Sequence, residues 1–168
     1  NWTTPPKYID KGNYRYDGGG YAEDGFQQVY VVPATGGSPR QLTEDEFNHG
    51  GNLAWSADGK RIFFSANRRD DAFLNPVNSE IYQLTVASKE VSPITDRNGP
   101  DGSPKVSPNG EKIAYTGYDD EKMSYQITKL YVMNTDGTDI EVLTPDLDRS
   151  VTGFEWDSGS RGIYFTYD

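Results

Sequence analysis

Short hydrophobic and aromatic runs alternate along the chain with polar turns, and almost no segment shows apolar residues at helical spacing. Asp-Gly at 58–59 and Asn-Gly at 109–110 each stand between two such runs. These dipeptides indicate hairpins, because glycine tolerates the positive φ that tight hairpin turns require. The pattern therefore predicts an all-β fold built from short antiparallel strands.

Two sequence patterns recur along the chain with a common period. The first pattern is QVYVV at 28–32 leading to QLT at 41–43, EIYQL at 80–84 leading to PIT at 93–95, and KLYVM at 129–133 leading to VLT at 142–144. The second pattern is AWSADGKRIFF at 54–64, KVSPNGEKIAY at 105–115 and EWDSGSRGIYF at 155–165. The first pattern repeats a tyrosine and a threonine, and the second repeats an isoleucine. These recurring residues are Tyr30, Tyr82 and Tyr131; Thr43, Thr95 and Thr144; and Ile62, Ile113 and Ile163. Successive copies stand 52 and 49 residues apart for Tyr and Thr, and 51 and 50 apart for Ile. Two independent patterns with one period indicate a structural repeat.

Each repeat is interpreted as four short antiparallel strands, which is typical of a β-propeller blade. The predicted division is an irregular lead-in at 1–26, the second half of a blade at 27–43, a link and complete blade at 44–95, a link and complete blade at 96–144, and a link and first half-blade at 145–168. That makes about three blades, whereas closed propellers have about four to eight. The chain is therefore predicted to be a fragment of a larger propeller.

Composition and charge narrow the possible partners. The chain has 168 residues with 12 Tyr, 7 Phe and 3 Trp, which favours β structure, and its net charge is −10. An acidic surface repels phosphate backbones and anionic lipid, so neither nucleic acid nor a membrane is expected as a partner. Cysteine is absent, which excludes a thiolate nucleophile and a Cys-based zinc site, and no metal or other cofactor is predicted.

Two motifs carry a family resemblance. Leu42-Thr43 followed by WSADGKRI at 55–62 resembles the repeat of TolB-like propellers and of the prolyl oligopeptidase family. The segment YRYDGGGY at 14–21 is similar to one in acylaminoacyl-peptidase-like and dipeptidyl-peptidase-like members. The resemblance implies a serine peptidase parent with an α/β-hydrolase domain, whose propeller restricts access and orients small peptide substrates. A TolB-like protein-interaction platform is the alternative, and either resemblance favours a periplasmic or secreted protein.

No catalytic residue is predicted within the chain. Serine hydrolases of this kind use a Gly-x-Ser-x-Gly elbow followed by Asp and His. The nearest match, GGSPR at 36–40, lacks the final glycine and lies between two strands. His49 is the single histidine, which leaves it without partners for a zinc site.

The candidate substrate contacts lie on one face of the predicted propeller, where the inter-blade links and the connections between second and third strands emerge. They are His49, Arg68, Arg69, Asp96, Arg97 and Arg149, together with the loop at 118–125. Cations on such a face suit a peptide carboxylate, and anions suit its amine. The alternatives are a solvated charged rim and, for His49, a loop histidine bonded to backbone.

Residues that recur in register are predicted to form the core between blades. They are Ile62, Ile113 and Ile163, with the aromatic residues Trp55, Phe63, Phe64, Tyr115, Trp156, Tyr164 and Phe165. Blades cut at both ends leave strand edges unpaired, which favours association. Two chains would supply six blades, so a dimer closed by 27–43 of one chain and 154–167 of the other is an expectation.

Overall fold

The computed structural model describes residues 3, 5–10, 12, 14–22 and 25–168, and its regular elements there are all β-strands. The strands are β1 (Arg15–Tyr16), β2 (Gly20–Tyr21), β3 (Tyr30–Val31), β4 (Arg40–Gln41), β5 (Ala54–Trp55), β6 (Arg61–Ala66), β7 (Glu80–Thr85), β8 (Val91–Pro93), β9 (Asp101–Val106), β10 (Lys112–Gly117), β11 (Lys129–Asn134), β12 (Glu141–Val142), β13 (Val151–Trp156) and β14 (Ile163–Tyr167). Over these residues, nothing forms a helix long and apolar enough to cross a membrane.

The strands form antiparallel sheets in simple chain order. Strands β5 to β8 make one four-stranded sheet and β9 to β12 make another, each with consecutive strands as neighbours. The pairs β3–β4 and β13–β14 precede and follow them. The predicted all-β propeller segment of about three blades is confirmed. The segment 1–26, expected to be irregular, also contains a hairpin that pairs β1 with β2, which the sequence analysis missed.

In each of the three repeats, the hairpin turn between the first and second strands has a residue with left-handed backbone conformation at the same position. Gly59 and Gly110 have φ values of 68° and 76°, and Ser160 takes the equivalent place with φ 58°. A serine tolerates this conformation less well than glycine. Here its Oγ accepts a hydrogen bond from the backbone N–H of Asn109 at 3.0 Å, which offsets part of that cost and ties the third turn to the second.

The core lies between successive sheets rather than within one. Neighbouring residues of a strand point to opposite faces, so β6 contributes Ile62 and Phe64 to one interface and Phe63 to the next. The first of these hydrophobic interfaces joins Val29, Leu42, Ile62, Phe64, Tyr82 and Leu84. The second joins Phe63, Ile81, Ile113, Tyr115, Tyr131 and Met133. The third joins Ala114, Leu130, Val151 and Phe154. The blades therefore pack face to face.

One predicted core residue, Trp55, is 47% exposed, so that prediction is wrong. Trp55 pairs with Ile62 and faces the sheet β3–β4, which has only two strands and covers Ile62 without reaching Trp55. Val106 occupies the equivalent position in the next sheet. Val106 packs on the second hydrophobic interface, because the sheet that precedes it, β5 to β8, has all four strands.

The other repeat residues divide according to how many strands surround them. Ile62, Ile113, Phe63, Phe64 and Tyr115 are buried, as predicted. Ile163 and Trp156 are half-buried, and Tyr164 and Phe165 are exposed, contrary to prediction. All four lie on β13 and β14, which pair only with each other. Without a third strand or a following sheet, little covers this end of the chain.

Candidate functional site

The link that enters each four-stranded sheet lies against the connection between the second and third strands of that sheet. In the first sheet, the link 42–53 contacts the connection 67–79 through Arg68 and Asp45. In the second, the link 94–100 contacts the connection 118–128, where the Asp120 N–H donates to the Asn98 carbonyl at 2.8 Å. These two places carry charged clusters and contain most of the predicted site residues.

The first cluster is built around the guanidinium of Arg68. Its Nη2 donates to Asp45 Oδ2 at 2.5 Å, and its Nη1 lies 2.6 Å from His49 Nε2. The imidazole also meets the Phe64 ring edge-on, with centroids 5.4 Å apart. Its Nδ1 lies 3.2 Å from the carbonyl oxygen of Gln27. His49 is thus held on three sides, and its side chain is fully buried.

These contacts and the burial of the ring together bear on the protonation state of His49. A guanidinium only donates and a carbonyl only accepts. The guanidinium contact favours an Nε2 that accepts from Arg68 and a proton on Nδ1 that points to Gln27, whereas Asp45 Oδ1, 3.1 Å from Nε2, favours a proton there. Burial lowers the pKa of His49, which favours this neutral form, although the Gln27 carbonyl and Asp45 partly oppose the shift. With its basic nitrogen already occupied, His49 is not available as a general base.

The second cluster is built around the guanidinium of Arg97. Its Nη2 donates to Asp101 Oδ1, and its Nε lies 3.6 Å from Asp119 Oδ1. The carboxyl of Asp101 is fully buried, and its Oδ2 has no hydrogen-bond partner within the described residues. Burial raises the pKa of Asp101 against the opposing attraction of Arg97. Arg97 is therefore the main compensation for a buried negative charge.

The two clusters are the same arrangement with the ion pair reversed. Asp45 and Arg97 are 52 residues apart, which is the spacing of the repeat threonines. Arg68 and Asp119 are 51 residues apart, which is the spacing of the isoleucines. The link thus provides the anion in the first cluster and the cation in the second, and the connection between strands provides the opposite charge.

A stacked pair of aromatic rings underlies each ion pair. Phe64 and Tyr82 stack at 5.9 Å in the first sheet, and Tyr115 and Tyr131 stack at 5.2 Å in the second. The guanidinium lies over the tyrosine in both, 5.4 Å from the ring centroid in the first and 4.1 Å in the second. The negative ring face attracts a cation arriving from either segment.

A buried carboxyl, Glu80, also distinguishes the second cluster. The Thr95 hydroxyl donates to its Oε2 at 2.7 Å, just as the Thr43 hydroxyl donates to Gln28 Oε1 at 2.6 Å one repeat earlier. Burial raises the pKa of Glu80 to about 7, and the nearby carboxyl of Asp101 adds to the shift. Near neutral pH, Glu80 therefore holds a proton for part of the time.

The structure brings only some of the predicted site residues together. His49 and Arg68 meet in the first cluster, and Arg97 centres the second. Arg69 is instead paired with Asp71 at 2.9 Å on the surface, and Asp96 is exposed beside the second cluster. Arg149 is exposed and lies 3.7 Å from Asp148. Their roles as substrate contacts stay predictions.

Three residues of the clusters were not predicted from the sequence, namely Asp45, Glu80 and Asp101, whereas Asp119 lies in the predicted loop 118–125. The signal was present in the repeat spacing, which aligns each of them with a polar residue of the other repeat. It was overlooked because the aligned residues differ in charge. No group of three or more His, Cys, Asp or Glu side chains within the described part of the chain has the arrangement of a metal site.

With this geometry in place, comparison with known proteins decides the family. Residues 2–125 match the family model described as the dipeptidyl peptidase IV (DPP IV) N-terminal region. The chain belongs to this family. The resemblance to peptidase propellers predicted from the sequence is therefore confirmed, and the two charged clusters lie within or beside the matched part.

Individual relatives agree with the family. A dipeptidyl-peptidase 5 from Porphyromonas gingivalis is 28% identical over 116 residues, which cover 68% of this chain and 17% of the relative. The structure of TolB from Acinetobacter baumannii aligns with 82% of this chain and 31% of the TolB chain, with a TM-score of 0.63 and 20% identity. The structure of a puromycin hydrolase aligns with 84% of this chain and 24% of the hydrolase chain, with a TM-score of 0.61 and 17% identity. The two structures show the shared propeller fold, and the chain spans less than half of each relative.

Proposed function

We propose that this chain is the non-catalytic propeller portion of a prolyl-oligopeptidase-family serine peptidase, in which it gates access to an α/β-hydrolase domain and orients small peptide substrates. The observation that supports this proposal is that guanidinium groups reach solvent on the links and connections of a chain that belongs to the dipeptidyl peptidase IV N-terminal region family. Arg68 and Arg97 are anchored there by aspartates, and Arg69 and Arg149 reach solvent. The two exposed cations suit the carboxylate of a short peptide, whereas Arg68 and Arg97 are already engaged by carboxyl groups of the chain.

The test uses the full-length protein that carries this segment and a serine peptidase domain. Arg69→Ala should raise KM for a peptide with a free carboxylate several-fold and leave kcat nearly unchanged. The same substitution should not affect a small uncharged ester. Lys89→Ala is the matched control, because Lys89 is an exposed cation in the turn between β7 and β8. Equal effects of both substitutions, or none from Arg69→Ala, would contradict the orienting role.

The isolated chain should not hydrolyse aminoacyl or dipeptidyl chromogenic substrates, because it contains no nucleophile elbow. Turnover by the purified chain that disappears in Ser38→Ala or His49→Ala would contradict this expectation. The sequence of the parent protein beyond Asp168 is a second test of the peptidase assignment. A Gly-x-Ser-x-Gly elbow within an α/β domain supports the peptidase assignment.

A second candidate is a TolB-like platform for protein interaction, which the structural likeness to TolB favours. A parent without a hydrolase domain and without peptidase activity would select it. Under either candidate the protein is expected in the periplasm or outside the cell. Fractionation of the native host tests that location, and recovery in the cytosol would contradict it.

Self-association of the isolated chain is the remaining part of the proposal. The exposed ring of Tyr164 on β14, 73% accessible, and the two-stranded sheet β3–β4 are the surfaces that a second copy could cover. Light scattering at micromolar concentration should show a dimer. A monodisperse monomer would contradict the closed ring of six blades.

A further inference from the structure

A cavity of about 800 Å³ lies beside the first cluster and plays no part in the function proposed above. It is formed by the segment 7–10, the hairpin β1–β2 and the tip of the connection 67–79. Six aromatic rings contribute to its lining: Tyr8, Tyr14, Tyr16, Tyr21, Phe26 and Phe73. Asn48 and Gln27, which adjoin the first cluster, also line it.

A lysine side chain already rests on one of these rings. Lys7 Nζ lies 4.0 Å from the centroid of the Tyr21 ring. The ring of Tyr14 stands 6.4 Å from Tyr21, tilted by 39°. Tyrosine rings present a negative face, and several such faces around one space favour a cation. A cavity of this size admits a lysine side chain from outside, which would compete with Lys7 for the same rings.

The charge of the whole chain, rather than that of the lining itself, favours a cation. Among the described lining residues, Lys7 is the single cation and Asp10 the single anion. The whole chain carries a net charge of −10, which attracts cations over a long range. The nearest arginine cluster does not compete for the space, because the guanidinium of Arg68 is engaged by Asp45 and His49.

We propose that this cavity binds the ammonium group of a lysine side chain carried by a peptide, with its methylene stem lying along the tyrosine rings. The internal Lys7 shows the chemistry that the rings select, and a bound lysine competes with it. The inference rests on the proposed function only for the origin of the ligand. Binding is measured directly on this chain, so its failure and the failure of the peptidase assignment are distinguishable.

The probe is Nα-acetyl-lysine amide, titrated into the chain and followed by NMR shifts of the tyrosine ring protons. Nα-acetyl-norleucine amide is the neutral comparison, because it keeps the stem and lacks the ammonium. We expect the lysine compound to bind about two- to fivefold more tightly. Equal binding of the two compounds, or none, overturns the proposal. Glycinamide, a main-chain ammonium without the stem, should bind more weakly, and equal binding would overturn the assignment to a side chain.

Substitutions locate the site. Tyr21→Leu should abolish the preference for the lysine compound, and Tyr21→Phe should retain it, because phenylalanine keeps the ring face. Tyr30→Leu is the matched control, since Tyr30 and Tyr21 are both 53% exposed on two-residue strands and Tyr30 lies outside the cavity. Lys7→Met should tighten binding by removing the internal competitor. Loss of the preference in Tyr30→Leu as well, or weaker binding in Lys7→Met, overturns the proposal.

Discussion

The two charged clusters occupy equivalent places in successive repeats and solve the same packing problem with opposite charges. The first cluster places its cation on the connection between strands, and the second places it on the link between blades. The stacked rings beneath them are nearly the same. A repeat can therefore exchange the two ends of an ion pair as long as the aromatic base is kept.

The clusters differ in how much buried charge they hold. The first combines the neutral amide of Gln28 with the neutral imidazole of His49, so Arg68 needs to balance only the half-exposed Asp45. The second has the carboxyls of Glu80 and Asp101 in the corresponding places. Two buried carboxyls beside one cation favour uptake of a proton. The second cluster should thus depend more strongly on its arginine and on pH.

Removal of the arginine should have the largest effect, and an unequal one. Arg97→Met leaves Asp101 buried without its cation, which should cost about 3–5 kcal/mol of unfolding free energy. Arg68→Met should cost less, about 1–2 kcal/mol, because the Asp45 side chain is 38% exposed and, although its Oδ1 is buried, water can reach the rest of the carboxylate. Chemical denaturation of the two variants measures both values.

The control adds Asp101→Asn to Arg97→Met. If the uncompensated carboxylate causes the loss, the neutral amide should restore much of the stability. Equal losses in Arg68→Met and Arg97→Met, with no recovery in the double variant, would contradict the proposed difference between the clusters.

The next effect concerns pH and Glu80. Its pKa rises from 4.5 in the unfolded chain to about 7 in the fold, so the folded state keeps a proton that the unfolded state loses. Stability should therefore fall as pH rises from about 4.5 to 7, by about 3 kcal/mol, and change little above that range. Glu80→Gln should remove this fall. Unfolding curves between pH 5 and 8 test it, and Glu90→Gln, on the surface, is the control.

The titration of His49 should make the unfolding free energy depend on pH in the opposite direction. Burial lowers its pKa below 6.5, so the unfolded chain binds a proton more readily than the fold as pH decreases. The first cluster should lose stability below about pH 6.5. His49→Gln, which can still accept from Arg68, should flatten the curve on the acid side. If Glu80→Gln and His49→Gln change the slope in the same direction, the contrast between the clusters is wrong.

Reversal of the first ion pair should have a smaller effect. Asp45→Arg combined with Arg68→Asp copies the polarity of the second cluster, where the link provides the cation. The double variant should be more stable than the sum of the single changes predicts, by about 1 kcal/mol. A double-mutant cycle measures this coupling. A coupling near zero would show that the aromatic base does not accept both polarities.

The smallest effect is expected outside both clusters. Arg149 is mostly exposed and lies near Asp148, which is more exposed still. Arg149→Ala should change the unfolding free energy by less than about 0.5 kcal/mol. A larger loss would indicate a role in holding the last link in place.

Local and periodic features were predictable from the sequence. The Asp-Gly and Asn-Gly turns, the strands beside them and the period of the repeat all depend on residues that are close together in the chain. The family resemblance followed from the same residues. Placement of His49, Arg68 and Arg97 on the loop side also followed from the order of strands in a blade.

Burial and pairing were decided only by the tertiary structure. Trp55 repeats in register with Val106, yet it is exposed because its neighbouring sheet has two strands instead of four. Arg68 and Arg97 look alike in the sequence, but one is bonded to a neutral histidine and the other to a buried carboxyl. The physical reason is that strand formation depends on local sequence, whereas burial and pKa depend on neighbours distant in the chain.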